Sequence, residues 1–150
     1  MGDALRAAGL RAVAVESCTG GYVAKLLTDI GGSSSWFDCG FVAYSNEAKQ
    51  RDVGVSAATL AAHGAVSEAT VREMASGALE RTGADRAVSI SGVAGPGGGT
   101  ARNPVGSVWF GFAVREGNTL RTSACHRQFV GDRDAVRRHA VLTALVLLRG

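Results

Sequence analysis

Short apolar runs, bounded by glycine, serine or charged residues, recur along the chain and predict five β-strands. The last two runs are separated by Gly117-Asn118, a dipeptide typical of a hairpin turn. The predicted strands are 10–17, 36–45, one within 84–95, 106–116 and 119–130.

Between these runs, apolar residues fall three or four positions apart, which predicts amphipathic helices. Helix starts are indicated by Ser45, Ser56, Ser67 and Asp132, whose side chains suit the N-cap position. The predicted helices are 3–8, 22–30, 45–54, 56–62, 68–83 and 131–150, with "SSSW" (33–36) as a loop. Strands separated by helices, with one hairpin, indicate a mixed sheet covered by helices.

Composition narrows the class of protein. A chain of 150 residues with 46% apolar residues suits a single domain, 1–150, with one core. The net charge of +3 comes from scattered arginines, which argues against a nucleic-acid partner. No apolar run approaches ~18 residues and the N-terminus lacks a signal-peptide pattern, so we expect no membrane association. Three cysteines without metal-ligand spacing indicate reduced thiols, no metal, and a cytoplasmic location.

Two unusual loops, 16–21 and 91–100, each follow a predicted strand. Ligands of open α/β sheets lie at the carboxyl ends of the strands, so both loops are expected to face one crevice. The second loop, "SGVAGPGGGT", holds too many glycines for regular structure. It is either a ligand-binding loop or a disordered surface loop, and its position after an apolar strand favours the first.

The first loop, "ESCTGG", contains two potential nucleophiles, Ser17 and Cys18. A helix beginning near Gly20 leaves its first N–H groups unpaired, and these could hold a phosphate or an oxyanion near Thr19 to Gly21. An ordinary N-cap with a glycine turn explains the same residues with about equal weight. Glu16 could cap, pair with an arginine, or bind substrate.

A serine nucleophile needs a base. The three histidines, His63, His126 and His139, occur in segments without polar neighbours, so we expect surface or packing roles for them. The chain has 14 arginines and only two lysines, Lys25 and Lys49. A desolvated lysine can lose its proton where an arginine cannot. Lys49 is therefore a candidate base, although a solvated helix face would also explain it.

Three further residues could serve the crevice. Ser91, at the end of the third strand, can point a hydroxyl into it. Arg133 and Arg137 lie one turn apart at the start of the last helix, where they could clamp a phosphate or remain solvated.

The motifs "ESCTGG", "AYSNEAK", "GAVSEATVREMASGA", "SGVAGPGGGT…PVGSVWFG" and "GDRDAVRRHAV" occur in this order over nearly the whole chain. Together they resemble the CinA C-terminal domain family. The resemblance implies an α/β fold, a three-layer α/β/α sandwich. It also implies hydrolysis of the carboxamide of nicotinamide mononucleotide to nicotinate mononucleotide and ammonia, without metal or cofactor.

By this resemblance Ser17 is the nucleophile and Lys49 its base, with Tyr44 assisting and Ser91 standing where many members have threonine. The family often has lysine where this chain has Asn103, so that cation is absent here, although Arg102 is adjacent. The expected substrate-binding residues are Thr19, Gly20, Gly21, Asn46, Gly92, Gly95, Gly97, Gly98, Gly106, Arg133 and Arg137.

The expected partner is a small-molecule nucleotide, and we expect a homo-oligomer. With Ser17 as the nucleophile, Cys18 becomes a packing residue. Two other functions use the same residues: a nucleotide-binding or regulatory module without catalysis, and a DNA-associated competence factor. The scattered arginines argue against the second of these.

Overall fold

A computed structural model describes residues 1–149 and contains a five-stranded mixed sheet between two layers of helices. The predicted α/β sandwich is confirmed. The strands are β1 (Ala12–Glu16), β2 (Phe37–Val42), β3 (Arg86–Gly92), β4 (Ser107–Glu116) and β5 (Thr119–Gln128). The α-helices are α1 (Gly2–Ala7), α2 (Tyr22–Thr28), α3 (Asn46–Val53), α4 (Ala57–His63), α5 (Glu68–Thr82) and α6 (Arg133–Arg149).

The strand order β2-β1-β3-β4-β5 explains where a site can form. Strand β1 runs parallel to both β2 and β3, whereas β4 and β5 are antiparallel additions at one side. The carboxyl ends of three neighbouring parallel strands therefore meet at one edge of the sheet. Both unusual loops, 16–21 and 91–100, leave from this edge, as the sequence predicts.

The sheet divides the apolar interior into two clusters. Helices α1, α2 and α6 cover one face, where Ala12, Ala14, Val88 and Ile90 point. Helices α3 and α5 cover the other face, where Val13 and Val15 point. Strand β1 is buried on both faces, as expected for a central parallel strand, and it holds the start of the first loop rigidly.

Serine caps begin three of the helices. The hydroxyls of Ser45, Ser56 and Ser67 accept hydrogen bonds from the backbone N–H groups at the third helical positions of α3, α4 and α5. The carboxylate of Asp132 does the same for α6. These predicted helix starts are confirmed, whereas the predicted loop at 33–36 contains a short 3₁₀ helix, Ser33–Ser35. No helix within residues 1–149 combines the length and the apolar character needed to cross a membrane.

Helix α5 packs unusually close to its neighbours. A Cβ added at Gly77 would lie 1.8 Å from the carbonyl oxygen of Val53 in α3, and one added at Gly111 in β4 would lie 2.2 Å from that of Val71. Both glycines therefore set the distance between backbones. Because α3 carries Lys49, the contact at Gly77 also fixes the position of that lysine relative to the sheet.

We expect Gly77→Ala to lower the free energy of unfolding by about 2 kcal/mol, because overpacking against a backbone carbonyl costs more than alanine gains as a helix former, which is about 1 kcal/mol. Urea denaturation followed by circular dichroism measures this. Glu80→Ala, at an exposed position of the same helix, is the control and should change stability by less than about 0.5 kcal/mol. A Gly77→Ala variant as stable as the control would contradict the packing argument.

Candidate active site

The turn after β1 is held by a buried carboxylate. Glu16 is fully buried, and its carboxylate accepts hydrogen bonds from the backbone N–H groups of Gly21, Val23 and Ala24 at 2.8–3.0 Å. Glu16, at the end of β1, thus caps the N-terminus of α2. The positive end of the helix favours an anion at that position. Of the three roles left open for Glu16, the structure shows capping.

This cap changes which N–H groups of the loop are available to a ligand. The N–H of Gly21 is bonded to Glu16, and the N–H of Gly20 donates to the Ser17 carbonyl. Neither is free to hold an oxyanion. The N–H groups of Cys18 and Thr19 donate to no other residue among the described residues. They directly follow Ser17, so the available oxyanion donors lie one or two residues earlier than the sequence predicts.

The side chain of Lys49 extends from α3 to Ser17 at the carboxyl edge of the sheet. The Ser45 cap starts α3, which places Lys49 in its first turn and aims its side chain back toward β1 and β2. Its Nζ lies 3.1 Å from Ser17 Oγ, 3.0 Å from the Ala43 carbonyl oxygen and 3.1 Å from the Tyr44 carbonyl oxygen. The lysine is only 1% exposed, whereas Ser17 is 8% exposed. The solvated helix face is therefore excluded as the explanation of Lys49.

The surroundings of Lys49 make it easier to deprotonate than an exposed lysine. All three partners of Nζ are neutral oxygens, and burial lowers the pKa of Lys49 from the ordinary lysine value of 10.5. The neighbouring Cys18 is also buried, and burial raises the pKa of its thiol to about 11. Cys18 is therefore a protonated packing residue near neutral pH, consistent with the expectation from the sequence.

Tyr44 contributes to the edge in two ways. Its carbonyl holds Lys49, while its side chain is 58% exposed and its hydroxyl accepts a hydrogen bond from Arg133 at 3.3 Å. Arg133 also donates to the Gly95 carbonyl at 2.9 Å, so it joins the end of β2 to the second loop. The hydroxyl of Tyr44 thus lies with Arg133, and it makes no hydrogen bond to Ser17 or Lys49.

Arg137 lies beneath the first loop. Its guanidinium donates to the Thr19 carbonyl at 3.0 Å, which ties α6 to the turn that carries Ser17. The Nε of Arg137 and the hydroxyl of Thr19 are both buried and have no hydrogen-bond partner within residues 1–149. The two arginines predicted to act together thus reach different loops.

The two other predicted side chains, those of Ser91 and Asn46, differ in burial. Ser91 is buried, and its hydroxyl donates to the Ala65 carbonyl at 2.8 Å rather than pointing freely into the crevice. Asn46 is exposed at the start of α3. No group of three or more potential metal ligands occurs in the described part of the chain.

The predicted glycines divide into two groups. A Cβ at Gly92 or Gly106 would collide with the backbone of β4 or of the segment after β5, at 2.7 Å and 2.0 Å, so these two serve packing. Gly97 and Gly98 leave open space beside the second loop, and Gly95 presents its carbonyl to Arg133. A Cβ at Gly95 would lie 2.6 Å from Val105, so Gly97 and Gly98 are the predicted glycines of the second loop with space around them.

His126 is exposed, in agreement with the surface role expected from the sequence. It also has a polar neighbour that the sequence does not indicate, because its Nε2 lies 2.7 Å from Ser107 Oγ. The contact joins residues of the paired strands β4 and β5 and depends on the observed register of that pair. The buried role of Glu16 was also left undecided by the sequence. An acidic residue that ends an apolar strand just before a helix is the signal that could have indicated it.

Comparison with known proteins places the chain in a family. The model of the CinA C-terminal domain matches residues 1–150. A curated relative, nicotinamide-nucleotide amidohydrolase PncC of Escherichia coli (strain K12), is 57% identical over 148 residues, which are 99% of this chain and 88% of that protein. The protein of the same name from Enterobacter agglomerans is 56% identical over 97% of this chain and 87% of its own length.

A solved structure of the same superfamily has the same fold as this chain. The competence damage-inducible protein A (ComA) of Klebsiella pneumoniae subsp. pneumoniae MGH 78578 superposes with a TM-score of 0.90 and 44% identity, covering 96% of this chain and 87% of that one. The chain belongs to the CinA C-terminal domain family. At this identity to curated relatives over nearly its whole length, it is an enzyme of the amidohydrolase class.

We expect Glu16→Gln to lower the free energy of unfolding by about 2 kcal/mol, because an amide replaces the anion at the helix N-terminus and leaves a buried N–H group poorly paired. Thermal and urea denaturation measure the loss. Glu47→Gln, an exposed change in the first turn of α3, is the matched control and should have a much smaller effect. Equal effects of the two changes would show that Glu16 does not hold the turn.

Proposed function

We propose that this enzyme hydrolyses the carboxamide of nicotinamide mononucleotide, giving nicotinate mononucleotide and ammonia, with Ser17 as nucleophile and Lys49 as its base. The observation that carries the proposal is the 3.1 Å contact between Ser17 Oγ and Lys49 Nζ at the carboxyl edge of the sheet. The substrate is inferred from the relatives named nicotinamide-nucleotide amidohydrolase.

The hydrogen-bond geometry of Lys49 supports a base. A neutral amine has two N–H groups and one lone pair. The carbonyl oxygens of Ala43 and Tyr44 can accept the two N–H bonds, which leaves the lone pair facing the Ser17 hydroxyl. The serine proton can then pass to Nζ as Oγ attacks, so the arrangement satisfies every polar group of Lys49 in its basic form.

The reaction then follows in two halves. Ser17 Oγ bonds to the amide carbon, and its proton moves to Lys49 Nζ. Collapse of the tetrahedral intermediate breaks the C–N bond, and the proton on Nζ passes to the departing nitrogen, which leaves as ammonia. Water, deprotonated by the same amine, then attacks the ester carbon. The C–Oγ bond breaks, the proton on Nζ returns to Ser17 Oγ, and the product acid leaves and ionises to the carboxylate.

The negative charge of each tetrahedral intermediate needs donors. The N–H groups of Cys18 and Thr19 supply them in this proposal, because they follow the nucleophile and are not bonded to other residues within 1–149. Arg137 supports their position by holding the Thr19 carbonyl.

The phosphoribosyl part of the substrate is assigned to the outer rim. Arg133 is exposed and has N–H groups beyond those bonded to Gly95 and Tyr44, so it can pair with a phosphate. The exposed Tyr44 side chain contacts Arg133 and borders the same space. The homo-oligomer expected from the sequence remains a prediction.

Ammonia release from nicotinamide mononucleotide by the purified protein tests the proposal. Ser17→Ala should lower kcat by at least about 10³-fold, and Lys49→Arg should do the same because arginine cannot act as the base. Lys25→Arg is the matched control, since Lys25 is exposed on α2 and pairs with Asp29; it should keep full activity. Full turnover by Ser17→Ala would refute the nucleophile. Tight binding of the mononucleotide by the wild type without product would favour a non-catalytic module.

We also expect kcat/KM to rise with pH along a single limb whose midpoint lies below 10.5. The active form of Lys49 is the neutral amine, and burial lowers its pKa, so the base becomes available at lower pH than for an exposed lysine. The pH dependence of the initial rate at low substrate concentration measures the limb. Cys18→Ala should leave it in place, because the thiol titrates near 11. Loss of the limb in Cys18→Ala would assign it to the thiol instead.

A further inference from the structure

A cavity in the described part of the chain does not include Ser17 or Lys49. It has a volume of about 630 Å³, within the range of small-molecule sites. It lies where the α4–α5 connection, the start of α5 and strands β4 and β5 meet. The residues that carry chemistry there are His63, Glu68, Arg72, Arg102, Trp109 and His126.

The cavity lies on the same sheet face as Ser17 but is separated from it. Ser91 pairs with Trp109, and Trp109 pairs with His126, so these side chains form one row across β3, β4 and β5. The Ser91 hydroxyl binds the Ala65 carbonyl, and the Asn103 amide binds the Val66 carbonyl. These two hydrogen bonds hold the connection 64–67 over Ser91, between the cavity and the edge that carries Ser17.

The cavity presents the indole of Trp109 beside a polar ring. Trp109 is half-buried, and its ring lies 5.1 Å from that of His126 between centroids. His126 Nε2 is held by Ser107 Oγ, a fully buried hydroxyl, at 2.7 Å. The other ring nitrogen, Nδ1, makes no hydrogen bond within residues 1–149. A fixed imidazole beside an accessible indole offers stacking and one polar contact at the same place.

The charge of the lining is positive. Glu68 is its single acidic residue and is bonded to Arg72, which also donates to the Thr122 carbonyl. Arg102 is exposed and makes no ion pair or side-chain hydrogen bond in the part of the chain that the structure describes. A cation without a partner therefore stands at the rim of a cavity with an aromatic wall.

We propose that this cavity binds a mononucleotide, with the planar base stacked on Trp109 and the phosphate paired with Arg102 and the imidazole of His126. An aromatic face and an unpaired guanidinium together fit a ring that carries an anionic group. This site is distinct from the amide-hydrolysing edge, and the proposal does not rest on the proposed function.

Adenosine monophosphate is the probe, because it has no carboxamide and cannot be a substrate for amide hydrolysis. Of the two tryptophans, Trp36 is fully buried, so a ligand in the cavity quenches the emission of Trp109. We expect saturable quenching by the wild-type protein, with a Kd confirmed by calorimetry. Adenosine alone and inorganic phosphate alone should each bind at least about tenfold more weakly, because each keeps only one of the two contacts.

Arg102→Ser and His126→Ala should each raise the Kd about tenfold, the loss typical of a charge-assisted or buried hydrogen bond. Arg102→Ser changes an exposed loop residue, so it keeps the test valid if His126→Ala folds poorly. Arg133→Ser is the matched control, because it removes an arginine from the Ser17 edge and should leave the Kd unchanged. Absence of saturable quenching at millimolar adenosine monophosphate would overturn the proposal. So would a Kd that responds to Arg133→Ser and not to Arg102→Ser.

Discussion

The burial of one lysine is the constraint on which the edge of this sheet depends. Lys49 ends among three oxygens, from Ser17, Ala43 and Tyr44, without a carboxylate. A charged ammonium without a counter-ion is costly to bury, whereas a neutral amine with both N–H groups bonded is not. Burial therefore lowers the pKa of Lys49, so its neutral form is more accessible than that of an exposed lysine.

Glu16 determines which N–H groups of the first loop a ligand can use. A helix N-terminus attracts anions, and the glycines after Ser17 suggest a phosphate cradle. The protein's own carboxylate already occupies that place, so a substrate anion cannot use it. What remains for a ligand is the short turn at Cys18 and Thr19, whose donors suit the small developing charge of an oxyanion. A phosphate has to be bound elsewhere, and the exposed Arg133 at the rim fits that requirement.

Local patterns in the sequence predicted most of the fold and part of the site. The caps at Ser45, Ser56 and Ser67 depend on neighbours within three residues, so the sequence carries them directly. The rarity of lysine made Lys49 a candidate base, because the chain uses arginine elsewhere. By contrast, the contact of His126 with Ser107 joins residues 19 positions apart. The partners of Lys49 include backbone carbonyl groups, which every residue has and which the sequence therefore does not single out. Such contacts depend on register and backbone direction, which composition and periodicity do not encode.

The segment 64–67 connects these observations. It receives the hydroxyl of Ser91 and the amide of Asn103, and the Ser67 cap starts helix α5 directly behind it. Helix α5 in turn rests on the sheet at Gly111 and on α3 at Gly77, where no side chain could fit. A shift of segment 64–67 would therefore displace α5, and with it the packing position of α3, which carries Lys49. The segment that separates the edge with Ser17 from the cavity with Trp109 is thus tied to the packing of the core.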